Sequence, residues 1–321
     1  MGPGLAGSGL ALVVLLGILW GSAYPVIRAG IVAGAPPLLF ASIRYLLTAA
    51  ALVPIALVGR SPRPAGSDLI APAVFGGLFI VGIYGALLYL GEETTPGGLA
   101  AVLTASAPLA TAVFGYWLLP TERFGRWGSF GLVVGFGGVC VLVLPQLLGS
   151  GSLGLDGPVL VVGAMLAFAI GSVLLRRTVR AQPGLWTLVV QFTIAGALIG
   201  GIALLFHEPL ALGQAATVVP SLAFLVVFPG ILGYTLYFRI HHTSGPTRAN
   251  VVGYVAPVTG VLVGSLVFGE PVTAIEIVGM VLIAAGLFLL RSGVARRPDR
   301  PSGRAGPELR AITPPLDDKT G

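Results

Sequence analysis

Ten apolar runs, each about as long as a bilayer is thick, follow one another along this chain with short polar connections between them. They stand at residues 9–30, 37–58, 69–90, 96–118, 126–146, 156–176, 184–206, 216–238, 247–268 and 272–291. A helix needs roughly 20 apolar residues to cross the hydrocarbon core. Inside that core every backbone N–H and C=O must be paired within the segment, and a helix pairs them. The pattern predicts an all-α integral membrane protein with ten transmembrane helices. Composition agrees. The 321 residues are 55% hydrophobic and 9% charged, where soluble domains carry about 25% charged residues. Residues 292–321 differ: Pro, Arg, Gly and Asp are abundant, and a disordered cytoplasmic tail is expected there.

The first run has the length of a cleaved leader's apolar core and more. Residues 1–9 hold no Lys or Arg, so the charged start of a signal peptide is missing and an uncleaved first helix is expected. The basic residues then set the topology. Arg60 and Arg63, Arg123 and Arg126, Arg176, Arg177 and Arg180, Arg239 and Arg248, and those of the tail fall on one side when the runs alternate. The positive-inside rule makes that side the cytoplasm and places both termini there. The remaining connections hold no Lys or Arg. A lone Lys319 beside many Arg and Ala points to a GC-rich bacterial genome, and so to a multi-pass protein of a bacterial inner membrane. The net charge of +6 is thus a topology signal, and no nucleic acid partner is expected. Cys140 stands alone, which excludes an internal disulfide and a thiolate metal cluster. His207, His241 and His242 sit at run ends, so no metal site is expected. No phosphate-binding loop is present, and no cofactor is expected.

The chain also repeats itself. APLATAVFGYWLLPTE, from Ala107 to Glu122, is answered by APVTGVLVGSLVFGE, from Ala256 to Glu270. Leu88-Tyr89-Leu90 is answered by Leu236-Tyr237-Phe238, and Gly21-Ser22 by Gly171-Ser172. Gly131 and Gly279 follow their Glu at the same distance, and Gly138 and Gly286 hold matching places. Each copy has five runs. An odd number obliges the second copy to enter the membrane from the opposite side. Two inverted five-helix repeats are expected, residues 1–146 and 147–291, around a central cavity. Many secondary transporters are built this way, with the site near the midplane.

These features resemble the EamA-type transporters of the drug/metabolite transporter superfamily. The carriers are the two five-run units, Trp20-Gly21-Ser22, Arg44, and the paired Ala-Pro…Glu…Gly phrases. The resemblance covers residues 9–291. It implies a ten-helix fold whose first, third, fourth, sixth, eighth and ninth helices surround the cavity. It also implies export of amino acids and related metabolites, while relatives carry nucleotide sugars or other solutes.

Several residues are candidates for the path. Pro108 and Pro257 lack an N–H, so the carbonyls of Thr104 and Gly253 lose a partner. Such a break should face protein or a wet cavity; a kink that serves packing alone is the other reading. Thr104 stands beside the first break. Asn250 and Tyr254, one helical turn apart, stand beside the second. Glu122 and Glu270 read as caps on the helix that follows each. Arg44 lies inside the second run, where a charge is costly and should face the interior. Its guanidinium suits a substrate carboxylate or freed carbonyls; a structural tie between helices is the alternative. Arg28 is expected to snorkel to the interface. Trp20 and Tyr24, four apart, share a face, and Tyr84 and Tyr234, with Phe168 and Tyr237, are further lining candidates. Gln191 is a weaker one.

No Asp or Glu lies in the middle of any run. The small multidrug exporters, shorter relatives in the resembled superfamily, use a carboxylate in their first helix. Its absence here favours a neutral, zwitterionic or anionic solute. The expected function is a secondary transporter exporting small metabolites, such as amino acids or their derivatives, by alternating access. A lipid or drug exporter on the same fold is the alternative, and a homodimer is left open. A membrane enzyme would need a nucleophile with its base, or paired acids, within the bilayer, and the runs offer neither.

Overall fold

The computed structural model describes residues 3–61, 63, 66–118, 125–149, 157–178, 184–244 and 252–293. Helix α1 has two pieces, Pro3–Gly21 and Ala23–Val32, and α2 is Pro37–Val58. Helix α3 runs through Gly66–Ala71, a wide π-helical stretch at Pro72–Ile83, and Tyr84–Gly91. Helix α4 is split into Gly97–Thr104 and Ala107–Leu118. Then come α5 at Arg126–Gly149, α6 at Gly157–Thr178 and α7 at Leu185–Leu205. Helix α8 repeats the build of α3, with Ala215–Leu225, a π-helical Val226–Leu232, and Gly233–Ser244. Helices α9 and α10 are Val252–Phe268 and Ala274–Gly293. Eight of these runs are long and apolar enough to cross a membrane, and α9 and α10 are shorter apolar helices.

The break in α4 falls just before its proline. Ala105 and Ser106 donate to carbonyls three residues back, and the helix restarts at Ala107. Pro108 thus sits in a first turn, where its missing N–H is no loss. Pro257, by contrast, lies buried inside the continuous α9.

Glycines set how closely helices approach. A Cβ on Gly131 of α5 would lie 2.7 Å from the Gly286 carbonyl oxygen of α10, and one on Gly138 would lie 2.8 Å from that of Gly279. The earlier residue of one helix faces the later residue of the other, so α5 and α10 run antiparallel. In lipid such small residues let backbones pack where no water drives association. Gly17 of α1 meets α9 in the same way, its Cβ position 2.5 Å from that of Val255.

One end of the bundle is clipped together by polar contacts. Gln214 donates its N–H to the Ala33 carbonyl at 2.8 Å. The turns there need Gly34 and Gly213, with φ of 93° and 71°. Glu208 accepts from the N–H groups of Leu38 and Leu39 at 3.1 and 2.8 Å, capping α2. Glu270 accepts from those of Gly97 and Gly98, both at 2.8 Å, capping α4. Arg28 donates to the Glu92 carbonyl at 2.6 Å and to that of Glu93. Carboxylates stand at helix starts and a guanidinium at a helix end, as the helix dipole favours. These are the connections without Lys or Arg, here called the acidic end.

One expectation changes at this end. Glu270 caps α4, not the helix that follows it. Gly269, with φ of 70°, turns the chain out of α9, and the Glu270 N–H returns to the Gly264 carbonyl at 3.0 Å. That turn sends the carboxylate back toward α4. Helix α10 has its own capping box, in which Thr273 N–H meets Glu276 at 3.2 Å and Glu276 N–H meets Thr273 Oγ1 at 3.3 Å. Arg28, at the same end, is held by the carbonyls of Glu92 and Glu93, just past α3, which have no helical partner. Glu122 lies outside the described residues.

Candidate substrate site

Aromatic side chains from α1, α2, α3, α7 and α8 converge around Arg44. The Trp20 ring lies 5.5 Å from both Tyr234 and Tyr237, centre to centre. Its indole N–H donates to the Pro229 carbonyl at 3.2 Å, within the wide stretch of α8. Tyr234 stands edge-on to Phe192 at 5.2 Å, and Phe192 stacks on Tyr45 at 5.7 Å. The Arg44 guanidinium carbon is 5.4 Å from the Tyr45 ring centre and 6.0 Å from that of Tyr89. Cation–ring contacts of this kind contribute about 0.5–2 kcal/mol. Arg44 also donates to the Tyr89 hydroxyl at 2.9 Å. The Tyr24 and Tyr84 hydroxyls are 3.5 Å apart, and Tyr84 packs on Phe168 of α6 at 5.8 Å.

The wide stretches aim two of these rings. In each, glycine sits over a carbonyl five residues back: Gly82 over Gly77, and Gly230 over Leu225. Tyr84 follows the first stretch directly, and Tyr234 follows the second after Gly233. Glycine also makes room for the rings. A Cβ at Gly233 would lie 2.6 Å from the Trp20 indole nitrogen, and one at Gly85 would lie 2.6 Å from the Tyr45 hydroxyl.

The arrangement can bind an anion beside apolar surface. A guanidinium has five N–H donors in a fork. Tyr89 engages one side of it, and among the described residues no carboxylate pairs with it. The acidic end adds a cavity of about 420 Å³, lined in part by Pro25, Arg28, Gln214, Thr217 and Glu270.

Trp20, Tyr24, Arg44, Tyr84 and Tyr234 stand together in this cluster. Thr104 joins it through the Tyr24 phenol, while its hydroxyl donates to the Ala101 carbonyl at 2.9 Å. Pro108 and Pro257 shape the α4 and α9 backbones and carry no ring contact. Tyr254 is 36% exposed, and Asn250 lies outside the described residues. Gln191 is buried against Gly76 of α3. Tyr45, Tyr89 and Phe192 were not expected. A phenol within an apolar run needs a polar partner, and that signal, with Tyr45 adjoining Arg44, marks the first two.

Membrane-length apolar helices define a class, the multi-pass membrane proteins. The EamA-like transporter family matches residues 7–144 and again residues 155–292. The chain belongs to the EamA-like transporter family. It is similar to the uncharacterized inner membrane transporter YedA of Escherichia coli, 29% identical over 88% of this chain and 90% of the relative. It is similar to the uncharacterized transporter YvbV of Bacillus subtilis, 26% identical over 88% and 90%. A probable amino-acid metabolite efflux pump of Salmonella typhimurium is 26% identical over 91% of this chain and 98% of that protein. A solved crystal structure shares the fold, with a TM-score of 0.60 at 22% identity over 88% of this chain and 96% of that one.

Proposed function

We propose that this transporter exports small metabolites, such as amino acids or their derivatives, by alternating access. Arg44 carries the reading: a guanidinium inside the bundle that, among the described residues, pairs with no carboxylate and so suits a solute's. The rings around it suit the apolar part of the same solute. A zwitterionic or anionic solute fits best, and a neutral one with a carbonyl also fits. The name of the Salmonella relative supports testing amino acids first.

In this reading two inverted halves, residues 1–146 and 147–291, rock about the site in ten spans. The antiparallel seam of α5 and α10 supports the inversion, as do the matched wide stretches. Thr104, Asn250, Tyr254 and the breaks at Pro108 and Pro257 complete the walls as the halves move. Both termini and residues 292–321 lie in the cytoplasm of a bacterial inner membrane, as the basic residues suggest. The aromatic walls also favour a second reading, a lipid or drug exporter on this fold.

Counterflow into proteoliposomes, with a panel of labelled amino acids, tests both. Arg44→Ala is expected to lower uptake about a hundredfold, since a lost charge-assisted pair is worth about 3 kcal/mol. Arg44→Lys keeps the charge without the planar fork and retains part of the rate. If the native protein moves an apolar drug but no amino acid, and Arg44→Ala moves it equally well, the second reading replaces the first.

A further inference from the structure

We propose that Glu92 is a proton-binding site whose loading decides whether the acidic end of the protein is closed. The inference rests on the alternating-access reading and adds a ligand, the proton, at a place separate from the ring cluster.

Glu92 caps the end of α3, its N–H returning to the Leu88 carbonyl at 2.9 Å. Its side chain is completely buried. Neither carboxyl oxygen has a hydrogen-bond partner among the described residues, and the buried Thr95 hydroxyl has none either. An ionised carboxylate held without donors is far less stable than the neutral acid, so such a group takes up a proton.

The groups that face it are few. Helix α1 brings Arg28 and Tyr24, α2 brings Arg44 and Tyr45, and α3 brings Tyr89. The turn after α9 brings Glu270. From α6, Gly157 and Val161 pack on Gly91 and bring no charge. The Arg28 guanidinium is engaged by the backbone carbonyls of Glu92 and Glu93, not by the carboxyl. Burial, with the negative Glu270 nearby, outweighs the two arginines and holds the Glu92 carboxyl well above the usual carboxylate range.

The cavity gives the proton a route. Arg28, which holds the Glu92 carbonyl, and Glu270, whose charge acts on the Glu92 carboxyl, both line the cavity at the acidic end. They are also the residues that clip this end shut, Arg28 on the α3 carbonyls and Glu270 on the α4 amides. When the clips part, the Glu92 O–H gives its proton to water in the cavity. The carboxylate left behind pairs with the freed Arg28 guanidinium. The sign follows from linkage. The closed end binds the proton more tightly than the open one, so acid favours closure and rising pH favours opening.

The test needs no solute, so it is independent of which solute the transporter carries. Full-length protein in liposomes is treated with dicyclohexylcarbodiimide, which adds to protonated carboxyls, across a pH series. Mass spectrometry then locates the adducts. Hydrogen exchange over residues 91–98, corrected for intrinsic rates, is measured on the same samples. Glu92 is expected to label to higher pH than its exposed neighbour Glu93, with a clearly higher midpoint. Protection of 91–98 is expected to fall through the same pH range. Glu92→Gln mimics the neutral acid and should keep that segment protected at every pH, whereas Glu92→Asp should retain the step. A Glu92 midpoint equal to that of Glu93 overturns the proposal. So does the native pH course of protection in Glu92→Gln. Should that variant not fold, the labelling midpoint of the native protein decides.

Discussion

Glu270→Ala is expected to destabilise the protein by about 3 kcal/mol, because it removes two hydrogen bonds to a charged acceptor and leaves two amides bare. Those amides belong to Gly97 and Gly98, the first turn of α4, where no helical carbonyl can reach them. The carboxylate also answers the positive end of the α4 dipole. Glu270→Gln keeps one acceptor oxygen and loses the charge, so it should fall about midway. Unfolding in mild detergent, followed by the loss of helical signal, ranks the three proteins. Equal stability of all three would mean that water replaces the clip at no cost.

Gly286→Leu should be among the most damaging single changes in the bundle. The Cβ position at Gly286 lies 2.5 Å from the Cα and the backbone nitrogen of Gly135. No side chain is available to move aside, so α5 and α10 must separate along their seam. Overpacking a tight contact costs about 1–3 kcal/mol where side chains can yield, and a backbone contact should exceed that. Gly137, on α5, is the control, since nothing lies within 4 Å of its Cβ position. Gly137→Ala is expected to be neutral, or stabilising by up to about 1 kcal/mol through helix propensity. Yield of folded protein by size-exclusion chromatography and the unfolding midpoint measure both.

The helices were legible in the sequence because lipid leaves an apolar segment no other structure. That Arg44 turns inward among rings was legible for a related reason: a charge in a span must face the interior. The partner of Glu270 was not. Capping rules look to the next helix in the chain, whereas the amides it holds lie 172 and 173 positions away. Only the crossing of α9 over the start of α4 brings them together. Glu92 escaped for a similar reason. It follows the last apolar residue of its run and reads as a surface loop, yet the start of α6 packs over that turn and closes it from water. The split in α4 was placed at Pro108 by rule, while the chain breaks at Ala105 and Ser106 and gives the proline a first turn.

The wide stretches of α3 and α8 separate two properties that an ordinary helix ties together, its length and its facing. In a regular helix each residue turns the next by about 100°. A π-helical turn holds one residue more, so everything beyond it is rephased while the axis barely lengthens. Were one wide turn between Pro72 and Ile83 to close into regular helix with no residue lost, Tyr84 and Tyr89 would point about 100° away from Tyr24 and Arg44. The same holds for Val226–Leu232 and Tyr234. Each half thus carries a built-in phase adjuster next to its tyrosines, and a return to regular helix there would redraw the interior without altering a single lining side chain.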